Sequence, residues 1–125
     1  MRLVCGDVTA LQDADIGDGF RLLVDTGTFH GLTDFQREAM GRELTSVASP
    51  DALLILDCFA PRRRGPLPRG ASRADIERSF SDWEITDIEA ADTEPEPIAR
   101  LFKFDEHFYL LRRAQPHASR VGLRE

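Results

Sequence analysis

Leu22-Leu23-Val24-Asp25-Thr26-Gly27-Thr28-Phe29-His30-Gly31-Leu32 is the stretch whose reading decides the fold. An apolar run ends on an aspartate, and a polar, glycine-containing turn follows. Cys5-Gly6-Asp7-Val8-Thr9-Ala10-Leu11 repeats the layout nearer the start of the chain. Continuous rather than alternating apolar residues mark a strand covered on both faces. In open α/β sheets, ligands bind beyond the carboxyl ends of parallel strands. Two acidic strand ends separated by one short excursion therefore predict one side of a small-molecule cleft. A cleft needs a second wall, and only four residues stand before Cys5.

Outward from this stretch, strands are predicted at Arg2–Cys5, Phe20–Asp25, Ala52–Phe59, Trp83–Ile88 and His107–Arg112. The clearest helix lies after Leu32. Thr33 and Gln36 have capping-box spacing, in which each side chain satisfies a free amide at the helix start. Phe35, Ala39, Met40, Leu44, Val47 and Ala48 then recur near the 3.6-residue period, with Arg37, Glu38, Arg42 and Glu43 predicted to face outward. Ser49-Pro50-Asp51 reads as the helix stop and a turn. Strand, helix and strand in this order form a βαβ unit with a right-handed crossover. Residues 60–71 read as a loop rich in Pro and Gly, and Ser72 with Asp75 as the cap of a short helix through Arg78 or Phe80. Glu89–Pro97 reads as an exposed acidic loop. Residues 1–114 form the predicted domain, and 115–125 a loose polar tail.

The chain has 125 residues, 42% hydrophobic and 30% charged, which describes a globular rather than a disordered sequence. A net charge of −6 argues against a nucleic-acid partner, because phosphate contacts need a basic face. No apolar stretch approaches the roughly 20 residues needed to span a bilayer, so no membrane association is expected. The first residues run into a strand-like pattern without the layout of a signal peptide. Cys5 and Cys58 both sit in apolar runs and read as buried free thiols of a cytoplasmic protein, against a disulfide or a reactive pair.

The order of elements resembles the C-terminal part of a class I S-adenosylmethionine-dependent methyltransferase of the small-molecule type. Gly6-Asp7-Val8 resembles the end of that family's third strand, whose acidic residue and following amide hold the adenine ring. Asp25 to Leu32 resembles the fourth-strand turn, which borders the methionine moiety and the substrate. Leu53 to Pro61 resembles the fifth strand, and Trp83 to Arg113 the closing pair, whose last strand runs antiparallel. The resemblance implies an incomplete Rossmann-like α/β sheet, mostly parallel, lacking the first two βα units and with them the glycine-rich cofactor loop. At about 30 residues per βαβ unit, some 60 or more residues of the fold have no counterpart. Without those strands, Arg2–Cys5 loses its neighbour and Phe20–Asp25 becomes an apolar edge. Three outcomes follow: the two strands pair with each other, a second chain covers the edge as a homodimer or a foreign partner, or the chain folds poorly alone.

The resemblance implies S-adenosylmethionine as cofactor and methyl transfer to a small molecule. The rival reading is a non-catalytic remnant or subunit that pairs with another chain through its open edge. Methyl transfer needs mainly proximity, orientation and exclusion of water. His30, just past a strand end, is the expected general base, or else it packs under the turn. Asp7 and Val8 are the expected adenine contacts, the alternative for Asp7 being a solvated turn carboxylate. Asp25 either faces the methionine ammonium or braces the turn. Thr26, Gly27, Thr28 and Phe29 would shape the cofactor wall, with Phe29 and His30 on the substrate side. Gly27 permits close backbone approach or simply makes the turn. Arg62-Arg63-Arg64 with Arg69 reads as a solvated loop, or as a landing site for an anionic substrate. Phe102, Phe104, Phe108 and Tyr109 read as core. His107 and His117 lack partners at metal-ligand spacing, and no metal site is expected.

Overall fold

The capping boxes foreseen in the sequence both form, and they set where the two helices begin. In the computed structural model, which describes residues 2–61, 69–90 and 106–114, Thr33 Oγ1 accepts the Gln36 amide at 3.2 Å. Gln36 Oε1 in turn accepts the Thr33 amide at 3.0 Å, opening helix α1 at Asp34–Val47. Ser72 and Asp75 exchange the same pair of bonds at 3.1 and 2.9 Å and open α2 at Arg73–Ser79.

Four strands form one sheet: β1 at Phe20–Thr26, β2 at Ala48–Phe59, β3 at Trp83–Ala90 and β4 at Glu106–Arg113. Their spatial order is β1-β2-β4-β3. β1 and β2 run parallel, and β4 is antiparallel to both of its neighbours, so three strands point one way and the last points back. This is the expected α/β sheet, mostly parallel with an antiparallel last strand.

The βαβ unit β1–α1–β2 lays α1 on one face of the sheet, and α2 joins it there. Ala52, Leu54, Leu56 and Cys58 of β2 point to that face and are fully buried. They meet Met40 and Leu44 of α1, Ile76 of α2, Phe29, Phe80 and Trp83 in one apolar cluster. Burying each large side chain contributes about 1.5–3 kcal/mol. The two helices approach so closely that a Cβ on Gly41 would overlap the Ser79 carbonyl oxygen. On the opposite face Leu53 and Ile55 are half-buried, while Leu22 and Val24 of β1 are 59% and 58% exposed. Among the described residues no helix covers that face.

Three expectations are corrected. Arg2–Cys5 is not a strand: residues 2–7 carry no regular secondary structure and pair with no strand among the described residues, and Leu3, Val4 and Cys5 are exposed. A strand exists only where a neighbour completes its backbone hydrogen bonds, and among the described residues none approaches; β1 pairs with β2 alone, so re-pairing with β1 does not occur. For the same reason Cys5 is not the buried thiol expected of it. The segment passes instead into a short 3-10 helix, Val8–Ala14, which packs beside α1. Secondly, Ser49-Pro50-Asp51 makes no turn, because β2 begins at Ala48 immediately after α1. The irregularity sits instead in the β1–β2 register between Phe20 and Leu22. Thirdly, the inner face of α1 is different: Phe35 is 77% exposed, and Arg37 is buried. Glu89 and Ala90, expected in an acidic loop, belong to β3. Residues 91–97, Arg62 to Arg64, Phe102, Phe104, His117 and the tail at 115–125 lie outside the described residues.

Candidate functional site

β1 ends at the sheet's carboxyl edge, and the turn that follows is built around Asp25. The Asp25 carboxylate accepts the Thr28 amide at 3.1 Å and the Phe29 amide at 2.9 Å. Both bonds close the turn into the short 3-10 segment Phe29–Gly31. The carboxylate is thereby held among backbone donors at a buried position. Gly27 bridges the turn at φ = 99°, a left-handed conformation that a side chain would strain. Thr26 and Thr28 are exposed beside it, and Gly27 is half-buried. Phe29 has no exposed surface; its ring packs 5.4 Å from that of Phe80. Its amide serves the turn and its side chain serves the core.

His30 is buried, and its Nδ1 accepts the Phe59 amide of β2 at 2.8 Å. An imidazole nitrogen that accepts an N–H carries no proton, so the neutral ring bears its proton on Nε2. That nitrogen lies against the Gly27 backbone, where a Cβ on Gly27 would be 3.6 Å away. The ring also rests 4.8 Å from the Phe59 ring. His30 thus joins the end of β1 to the end of β2, and its basic nitrogen is engaged by the backbone.

Arg37 is the residue that the sequence reading missed. From α1 its guanidinium donates to the carbonyl oxygens of Phe29 (3.2 Å), His30 (2.9 Å) and Gly70 (2.6 Å). It also faces Asp75 at 3.5 Å and lies 5.0 Å from the centre of the Phe29 ring. Burial lowers its pKa from the usual arginine value, and nearby Arg69 adds to this, while Asp75 and Asp34 oppose it. Burial alone would raise the pKa of Asp75, yet the Ser72 hydrogen bonds, Arg37 and Arg78 hold it below its usual value. The planar fork of an arginine suits several carbonyls at fixed angles in a way a lysine does not. One signal was available: position 37 precedes Met40, Leu44 and Val47 at three-, seven- and ten-residue steps, on the buried stripe. Its charge concealed its place on that stripe.

Gly70 completes the brace. Its amide donates to the His30 carbonyl at 3.1 Å, and Ala71 donates to the Phe59 carbonyl at 2.8 Å. Its φ is 81°, and a Cβ here would collide with the Ala60 carbonyl, so only glycine fits. Arg69 is exposed and donates to the Leu32 carbonyl and to Asp34.

Asp7 lies apart from this assembly. It is exposed, and one of its oxygens accepts the Thr9 amide at 2.8 Å and the Thr9 hydroxyl at 2.7 Å. These bonds lower its pKa and make it the cap of the Val8–Ala14 segment. Val8 packs partly against the core. Asp57, on the open face of the sheet near the end of β2, is a third carboxylate. Burial, reinforced by Glu106 and Asp25, pushes its pKa up to about 7. Its Oδ1 is buried without a hydrogen-bond partner. The Cys58 thiol beside it is pushed up to about 12 by burial, with Asp25 and Asp57 adding, which makes it an inert core group. Among the described residues, no cluster of His, Cys, Asp or Glu has metal-site geometry. No helix among them is long and apolar enough to cross a membrane.

No protein-family model and no curated protein matches the sequence. Solved structures do match. A 1,6-didemethyltoxoflavin-N1-methyltransferase from Burkholderia thailandensis, with S-adenosylhomocysteine bound, is 16% identical with a TM-score of 0.59, over 86% of this chain and 48% of its own. An S-adenosylmethionine-dependent methyltransferase from Clostridium acetobutylicum is 12% identical with a TM-score of 0.63, over 91% of this chain and 65% of its own. The cyclase SpnF, 14% identical, gives a TM-score of 0.65 over 90% of this chain and 55% of its own. The chain therefore spans about half to two-thirds of the length of these neighbours. Over that part it has the fold of the class I S-adenosylmethionine-dependent methyltransferases.

Proposed function

We propose that this chain supplies one wall of a cleft in which S-adenosylmethionine donates a methyl group to a small molecule. The observation that carries this reading is the braced turn at the carboxyl end of β1, in a fold shared with a neighbour that holds S-adenosylhomocysteine. On this reading Asp25, Thr26 and Gly27 form the methionine side, with Asp25 acting through the turn it shapes. Asp7 and Val8 form the adenine side. His30 donates from Nε2 to a substrate oxygen or nitrogen and fixes its orientation, since Nδ1 is held by Phe59. When bound, the cofactor supplies the activated methyl group; the chain orients the acceptor and excludes water. Unpaired thiols at Cys5 and Cys58 fit a cytoplasmic setting.

A cofactor touched only at adenine and methionine lacks ribose and carboxylate contacts, so the chain by itself binds S-adenosylmethionine weakly or not at all. Titration with S-adenosylhomocysteine followed by amide NMR tests this reading. Where binding is detectable, small shifts confined to residues 7–9 and 25–30 are expected; shifts centred elsewhere would sink the site. Tight binding by calorimetry would overturn the one-walled cleft.

A second reading has its own observation: among the described residues nothing pairs with the outer edge of β1, and Leu22 and Val24 are exposed beside it. Here the chain is a subunit, without catalysis of its own, whose edge pairs with another chain.

A further inference from the structure

We propose that Asp57 and Glu106 share one proton and form a pH-sensitive latch between the end of β2 and the start of β4, closed in acid and released towards neutrality. The latch stands apart from both functional readings above.

The strand register brings the two side chains together. Asp57 lies on the open face, flanked in register by Thr26 of β1 and Phe108 of β4, with Glu89 of β3 beyond Phe108. Glu106 stands opposite Phe59, the next residue of β2 on that face, and so meets Asp57 on the diagonal. Their side chains hydrogen-bond to each other. Two ionised carboxylates have no donor to offer, so this bond exists only while one of the pair is protonated. Like charges at that range also cannot both ionise without a heavy penalty.

The surroundings favour the shared proton. Asp57 Oδ1 is buried and accepts no hydrogen bond among the described residues, and Asp25 adds negative charge from the end of β1. The strand arginines Arg21, Arg112 and Arg113 sit at the other end of the sheet. On the helix face the neighbours are Cys58 and His107, opposite each other in register, and Arg37, whose guanidinium is engaged by three carbonyls. Burial first, then Glu106 and Asp25, push the Asp57 pKa from 3.8 up to about 7. A folded value above the unfolded one means that the latch is fully formed below pH 4 and is lost as pH rises towards 7. On release two adjacent carboxylates repel, and the first residues of β4 part from β2. Phe59, opposite Glu106, is also the residue whose amide holds His30 Nδ1. The latch therefore closes the carboxyl edge of the sheet beside the Asp25 turn.

Carbon-13 NMR titration of the side-chain carboxyls in the full chain tests the shared proton. A step near pH 7 is expected at both Asp57 and Glu106, and in Glu106→Gln the Asp57 midpoint should fall while staying above 3.8, since burial remains. An Asp57 midpoint near the ordinary carboxylate value in the unaltered chain, or one that Glu106→Gln leaves unmoved, overturns the pair. Hydrogen-exchange protection factors then test the latch. From pH 4 to pH 8 the amides of residues 106–108 should lose protection by about tenfold, a figure reduced for the partial exposure of Asp57, against little change at 109–112. Asp57→Asn keeps a donor for Glu106 and cannot ionise, so its protection at 106–108 should stay constant over that range. A loss shared equally by 109–112, no loss at all, or a loss that persists in Asp57→Asn overturns the latch.

Discussion

The turns at Asp7 and Asp25 use the same local device and end in opposite conditions. In each, an aspartate that follows an apolar run accepts hydrogen bonds from residues two to four positions ahead. Asp7 does this in solvent, at the start of a segment whose preceding residues join no strand among the described residues. Asp25 does it under cover, where Arg37, His30 and Gly70 tie the turn to α1, β2 and the approach to α2. A local motif closes a turn; only contacts from elements distant in sequence make that turn rigid. This is why the Asp25 turn, and not the Asp7 turn, is the firm part of the candidate site.

Removing the anchor should have the largest effect. Arg37→Ala leaves the carbonyls of Phe29, His30 and Gly70 without their buried donor and should cost about 3–4 kcal/mol in urea unfolding. Arg37→Lys should recover only part, because a point donor cannot serve three carbonyls at once. If Arg37→Ala proves neutral, the two turns differ for some other reason. Next comes Asp25→Asn, which sets an NH2 group against one of two backbone donors and should cost about 1–3 kcal/mol. Hydrogen exchange at the Phe29 amide should accelerate with it.

Asp57 sharpens the contrast from the other side, as a carboxylate near a strand end whose buried Oδ1 accepts no hydrogen bond among the described residues. Its folded pKa of about 7 lies above the unfolded value of 3.8, so the native state holds the proton more tightly. The associated stability is present below pH 4 and is lost as pH rises towards 7. Asp57→Asn should therefore stabilise the protein at pH 8 by about 1 kcal/mol, a figure reduced for the partial exposure of the side chain, and change little at pH 4. Equal effects at both pH values would refute the assignment. The smallest effect is expected for Asp7→Ala. Its folded pKa is lowered, so its contribution exists above the unfolded pKa and disappears as pH falls through the folded one. At neutral pH its melting temperature should fall only slightly below that of the unaltered chain, with faster exchange confined to Thr9.

Both helix starts were legible because a capping box is local: Thr33 with Gln36 and Ser72 with Asp75 need nothing beyond three residues. The apolar run at Leu53–Phe59 was equally legible as a strand. Arg2–Cys5 was misread because strand propensity says nothing about whether a neighbour is present. Arg37 was misread because its charge was weighed and its position was not. A guanidinium enters a core when carbonyls converge on it, and those of Phe29, His30 and Gly70 converge only after the chain has folded.

By itself, then, the sequence determined the strand–helix–strand unit, both caps, the aspartate-closed turns and the likeness to the methyltransferase fold. These depend on patterns within a few residues or on the order of elements. The tertiary structure decided which turn is rigid, which face of α1 is buried and which strand forms the sheet edge. It also decided that the Nδ1 atom of His30 is occupied, since the Phe59 amide comes from 29 residues away. Each of these depends on what approaches from far along the chain, and short-range pattern carries no record of that approach.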